Sequence, residues 1–71
     1  MKKFCYYAIY NIICRKFVCI INYVDGKISC SHYTDKVVDV MCEDKKYVTK
    51  MCIELNKESG AFEVVEIIRR V

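Results

Sequence analysis

Residues 44–67, DKKYVTKMCIELNKESGAFEVVEI, constrain the fold of this 71-residue chain more than any other stretch. Tyr47, Val48, Met51, Cys52 and Leu55 recur at i, i+1, i+4, i+5 and i+8, the stripe of a helix lying on a sheet. Lys46, Thr49, Lys50 and Glu54 fall on the opposite, wet face. Asp44 stands where an N-cap is needed, because its carboxylate can accept from the first free amides of the helix. Gly60 is the stop signal. Residues 61–71 then alternate as a closing strand, with Phe62, Val64 and Ile68 on one face and Glu63, Val65 and Ile67 on the other.

Three extended segments precede the helix. Residues 4–12 alternate, with Cys5, Tyr7 and Ile9 pointing one way and Tyr6, Ala8 and Tyr10 the other. Residues 16–24 are apolar on both faces. Asp25-Gly26 is a tight-turn signal, since glycine accepts positive φ at little cost. Residues 27–33 return as a third strand, with Ile28 and Cys30 inward and Ser29 and Ser31 outward. Thr34-Asp35 opens a polar turn. A helical turn near residues 36–38 and a short extended piece at 40–42 follow, although Val37, Met41, Val48, Cys52 and Leu55 would also suit one continuous helix. The expected fold is α+β: an antiparallel sheet of three to five strands with one helix on one face, in the order β-β-β-(short β)-α-β. Residues 1–71 form one domain in this reading. Proline is absent and there are two glycines, so nearly every residue suits a regular element, and a disordered tail is excluded.

Lys2 and Lys3 before the apolar run 4–14 invite a signal-peptide reading. The run is rich in tyrosine, contains Asn11, and is followed by no small-x-small cleavage site. The next apolar run, 17–24, is too short to span a bilayer. Both read as strands, and the expected setting is the cytoplasm of a host cell, away from membranes.

The six cysteines, Cys5, Cys14, Cys19, Cys30, Cys42 and Cys52, are an even number in a short chain and raise a disulfide framework. Such frameworks belong to loop-rich chains poor in core residues, whereas Val, Ile, Tyr and Phe abound here. Cys5, Cys19, Cys30 and Cys52 are in phase with apolar neighbours. The expectation is reduced thiols, mostly buried, with Cys14 exposed. No C-x-x-C occurs, and Cys30-x-His32 offers two ligands on one strand face, too few for a structural zinc site.

Catalysis finds little purchase. His32 is the only histidine, and its neighbour Cys30 lacks a third orienting group. Two isolated glycines build no phosphate-cradling loop. Asp35, Asp39, Glu43 and Asp44 cluster around turns and a helix start, where acids are favoured anyway. No catalytic residue, metal ligand or cofactor is expected. The net charge of +3 is mild, and the basic residues come mainly as pairs.

The opening Tyr7, Ile9 and Asn11, the Thr34, Asp35 and Lys36 segment, the Glu54, Leu55 and Asn56 helix end and the Phe62 to Glu66 strand together resemble a loose class of small proteins encoded by phages and mobile elements of low-GC bacteria. The resemblance covers most of the chain, but its motifs are short and mostly structural. The first turn departs from it: residues 12–16 lack the glycine of that pattern, which leaves Ile13 and Cys14 at a loop tip. The resemblance implies a small non-enzymatic accessory protein that binds and inhibits a host protein, for instance as an anti-CRISPR or other anti-defence inhibitor.

One helix covers one face of a sheet. The other face is expected to carry Tyr6, Tyr10, Val18 and Ile20 as a protein interface, serving a homodimer, a host protein or both. A nucleic-acid-binding module is the alternative, with Lys45, Lys46, Arg69 and Arg70 as contacts and sheet tyrosines as stacking platforms. A third reading is an oligomer that sequesters a small nucleotide between protomers.

Overall fold

The computed structural model describes residues 2–70. Strands β1 (Lys3–Asn11), β2 (Lys16–Val24) and β3 (Lys27–Thr34) are followed by a 3-10 turn at Val37–Asp39, helix α1 (Lys45–Asn56) and strand β4 (Phe62–Arg70). The four strands make one antiparallel sheet in the order β3-β2-β1-β4. This is the α+β arrangement expected from the sequence, with the last strand added beside the first.

Asp25 and Gly26 close the β2–β3 hairpin, with φ of 51° and 75°, between the paired residues Val24 and Lys27. Positive φ at both central positions matches the right-handed twist of the flanking strands. The β1–β2 turn solves the same problem without glycine. The Asn11 side chain accepts from the amides of Ile13 at 2.9 Å and Cys14 at 3.2 Å. Arg15 takes φ 60° and its amide returns to the Asn11 carbonyl at 2.9 Å. Asn11 is buried, and its Nδ2 donates to the Tyr33 hydroxyl at 3.1 Å, so one side chain ties the loop to β3. Such local bonds are the reason asparagine can replace glycine as the organiser of a turn.

That loop pairs Tyr10 with Phe17 and Asn11 with Lys16. Directly opposed residues share a face, so Phe17 follows Tyr10 and Val18 follows Ile9. Val18 therefore lies in the core beneath the helix, 6% exposed, and not on the outer face expected for it from the sequence. Register shifts between Val18 and Ile20 and between Ile20 and Ile21 then move β2 by one residue, so that Ile21 faces the core and Ile20 turns outward.

The sheet is not evenly zipped. β1 and β4 pair along their whole length, from Lys3–Arg70 to Asn11–Phe62. The β1–β2 ladder holds only its two pairs beside the turn. Further along, Cys42 occupies β1's second edge: the Tyr7 amide donates to the Cys42 carbonyl at 2.7 Å, and the Cys42 amide returns to the Tyr7 carbonyl at 2.9 Å. The short extended piece expected at 40–42 is this single bridge. The helical turn before it is Val37–Asp39, so residues 36–42 do not join α1.

Asp44 caps α1, its Oδ1 accepting from the Tyr47 amide at 3.1 Å. Val48, Met51, Cys52 and Leu55 are buried against Ile9, Val18 and Ile28, while Tyr47 at the rim is half exposed. Each such aliphatic side chain contributes about 1.5–3 kcal/mol on full burial. The helix stops at Asn56, four residues before Gly60. Gly60, at φ 65°, instead shapes the turn into β4, and its amide reaches back to the Asn56 carbonyl at 3.2 Å.

All six cysteines are free thiols. Cys52 is buried, Cys5, Cys30 and Cys42 are half-buried, and Cys14 and Cys19 are exposed. The exposure of Cys19 corrects the expectation that Cys14 alone would be open, because the shift in β2 that turns Ile21 inward leaves Cys19 at the irregularity itself.

Candidate binding face

The outer face of the sheet is built from three strands. Tyr7 and Ile9 pack toward α1, so Tyr6, Ala8 and Tyr10 point away from it. β4 lays Ile67 opposite Tyr6 and Val65 opposite Ala8. β2 contributes Phe17, whose ring meets that of Tyr10 edge-on at 5.1 Å and 61°, and then Ile20, paired with His32. Tyr6, Tyr10, Phe17, Val65 and Ile67 are half-buried by one another, Ala8 is covered by its larger neighbours, and Ile20 is 44% exposed. An apolar band thus runs across the face that carries no helix.

Of the four interface residues expected from the sequence, Tyr6, Tyr10 and Ile20 are on this face and Val18 is not. Phe17, Val65 and Ile67 belong there and were missed. The signal for Phe17 was the asparagine at position 11: once it closes the turn, Tyr10 and Phe17 are opposed and the phase of β2 is set. Val65 and Ile67 follow only from pairing with β1, a contact between chain ends.

The expected nucleic-acid contacts divide into two places. Lys45 and Lys46 open α1, and the Lys45 ammonium stands 5.8 Å from the centre of the Tyr7 ring. Lys46 and Lys50 border an open surface of the helix with Thr49 and Ile53, away from the sheet. Arg69 and Arg70 end β4, opposite Phe4 and Lys3.

Where β1 and β2 part, a groove of about 240 Å³ lies among Ile9, Val18, Cys19, Val40, Cys42 and Tyr47. Its walls are polar and apolar in about equal measure and include two thiols and Asp39. Cys30 and His32 are split by the irregular register: Cys30 packs on the core and His32 pairs with outward Ile20. The Cys30 thiol donates to the His32 carbonyl at 3.3 Å, and His32 Nδ1 lies 3.0 Å from the Ser31 hydroxyl. Among the described residues, no three His, Cys, Asp or Glu side chains come together as metal ligands. Nor is any helix among them long and apolar enough to cross a membrane.

Cys52 and Tyr33 are shifted from their ordinary ranges, and neither belongs to the outer face. Burial pushes the Cys52 thiol up, and the negative charge of Glu63 adds to the effect. Partial desolvation of its hydroxyl raises the Tyr33 phenol, although the residue is 37% exposed, and the Cys30 thiol reinforces the shift while the Asn11 amide opposes it. Both shifts favour the neutral form, as expected of groups that hold structure together.

No protein-family model, no curated protein and no solved structure matches this chain.

Proposed function

We propose that this chain is a small non-enzymatic binding protein that seats another protein on its outer sheet face. The observation that carries the reading is the band of Tyr6, Tyr10, Phe17, Ile20, Val65 and Ile67 on the sheet face opposite α1, which no other element covers among the described residues. Large rings with wet-tolerant hydroxyls at the centre of an apolar patch are the composition of interface cores. Burying such a band gains about 25 cal/mol per Å² of apolar surface, a useful margin for a domain of this size. The narrower form, inhibition of a bacterial defence effector in a host cell, is supported by the resemblance of the Thr34–Lys36, Glu54–Asn56 and Phe62–Glu66 segments to small phage and mobile-element proteins.

Tyr6→Glu combined with Ile20→Lys tests the reading, because both side chains leave the core without leaving the band. Light scattering should show self-association of the parent chain that the double variant loses. Alternatively, immobilised parent chain should retain a host protein that the variant releases. Circular dichroism should be the same for both. A parent chain that stays monomeric at high concentration, together with a variant that still retains the same host protein, would place the working surface elsewhere.

A further inference from the structure

We propose that the Lys3–Arg70 end of the β1–β4 ribbon binds the phosphate backbone of a nucleic acid, a surface that adjoins the apolar band at Tyr6 and Ile67. Four basic residues gather there, with Lys3 and Arg70 on the helix side of the ribbon and Arg69 on the other. Lys3 stands directly opposite Arg70, and Phe4 directly opposite Arg69, with Lys2 one residue beyond. All four cations are exposed. Directly opposed like charges weaken a ladder, so the Lys3–Arg70 pair is a local cost that an anionic ligand would relieve.

The charge inventory sharpens the point. The chain has twelve Lys and Arg against nine Asp and Glu. Four of those twelve cations sit at the ribbon end, where β4 has no acid between Glu66 and Arg70. The nearest acid along β4 is Glu66, opposite Tyr7, roughly 10 Å from Arg69 at the strand rise of about 3.4 Å per residue. The ion pair among the described residues, Lys57 to Glu54 at 2.9 Å, lies at the far end of the helix.

Shape points the same way. The β1–β2 ladder is confined to the pairs at Tyr10 and Asn11, so the end at Lys3–Tyr6 is a ribbon two strands wide. A ribbon of that width enters the major groove of a duplex, and it also lies along a single strand. Lysine supplies point charges and arginine bidentate forks to phosphate oxygens. Phe4, 41% exposed beside Arg69, offers a ring on which an unpaired base can stack. Lys45, over Tyr7 on the helix side, follows Lys3 and Arg70 inward and also borders the helix surface of Lys46, Lys50 and Ile53.

Fluorescence anisotropy of the full chain tests this with labelled single-stranded DNA, single-stranded RNA and duplex DNA, each of about 20 nucleotides per strand, and with polyglutamate as the acidic-protein probe. With up to four phosphates neutralised, affinity should fall about 50- to 150-fold between roughly 50 and 200 mM salt. Lys3→Gln with Arg70→Gln should weaken binding by about tenfold or more and make the salt slope shallower by about two. This pair of changes removes a repulsion and should leave the fold intact by circular dichroism. Phe4→Ala should weaken single-strand binding by about fivefold or more and spare the duplex if the base stacks; equal losses on both probes assign the ring to the duplex groove. Lys46→Gln with Lys50→Gln should change affinity by less than about threefold, because these lysines lie on the helix surface that faces away from the sheet. Ile20→Lys should not weaken it, which keeps this test independent of the protein-docking face. The proposal is overturned by absence of binding at low salt, by affinity unaltered in the Lys3 and Arg70 variant, or by polyglutamate binding as tightly as nucleic acid.

Discussion

The side-chain amide of Asn56 pairs with both backbone groups of Phe62: Nδ2 donates to the Phe62 carbonyl and Oδ1 accepts from the Phe62 amide, each at 2.9 Å. The last residue of α1 thereby acts as an extra strand rung for the first residue of β4. This closes the turn between them and aligns β4 for its ladder with β1, which begins at Asn11–Phe62. Asn11 performs the matching task on the other strand, where its side chain builds the β1–β2 turn.

Asn56→Ala should destabilise the protein by about 1–3 kcal/mol, since it leaves a half-buried amide and carbonyl of Phe62 without partners. Urea unfolding measures it. An unchanged midpoint would mean that water replaces both bonds without loss and that the Gly60 turn alone positions β4.

Asp44→Ala should cost about 1 kcal/mol, because the Tyr47 amide loses its acceptor. For a domain of this length that is a fall in Tm of about 4–8 °C. Asp44→Asn or Asp44→Ser should recover most of it, as both keep a capping oxygen. A thermal melt of Asp44→Ala superimposable on the parent would remove the cap from the account of α1.

The thiols should react in an order set by burial. Cys14 and Cys19 should be modified first, Cys5, Cys30 and Cys42 more slowly, and Cys52 last, its thiolate further disfavoured by burial and by Glu63. Timed alkylation with peptide mapping reads the order. Six thiols should titrate in denaturant without reductant; a smaller number would reveal a disulfide.

Alkaline pH should unfold the protein early. Cys52 and Tyr33 both have proton affinities raised in the folded state, by burial first in each case. The folded chain therefore binds more protons than the unfolded chain once pH passes the ordinary thiol value of 9.0 and then the ordinary phenol value of 10.0. Stability contributed by these groups is complete below those values and declines as pH rises through the raised ones. Urea midpoints across the alkaline range should fall, and Cys52→Ala should flatten the thiol part of the decline. A parent midpoint that does not change up to the phenol range would contradict the raised proton affinities of Cys52 and Tyr33.

Local patterns carried the elements. The stripe from Tyr47 to Leu55, the Asp44 cap and the Asp25-Gly26 turn each depend on residues within a few positions of one another, so α1 and the β2–β3 hairpin were legible with their bounds nearly right. The one-sided helix stripe also carried the inference that a single sheet face would be covered. The phase of β2 was not legible in this way. Alternation within residues 16–24 is compatible with either face, and the choice came from Asn11 closing the preceding turn and from the irregular register around Ile20. That is why Val18 entered the core and Phe17 joined Tyr10 outside.

By itself, then, the sequence determined which residues are helical, which are extended and where the tight turns fall, because those preferences arise from the backbone and nearest neighbours. Only the tertiary structure decided which strands adjoin. Pairing β4 with β1 joins residues some sixty positions apart, a contact whose energy comes from the finished ladder and has no local signature. The same pairing set Ile67 beside Tyr6, Arg70 beside Lys3 and Arg69 beside Phe4, and so assembled both candidate surfaces from segments that are far apart along the chain.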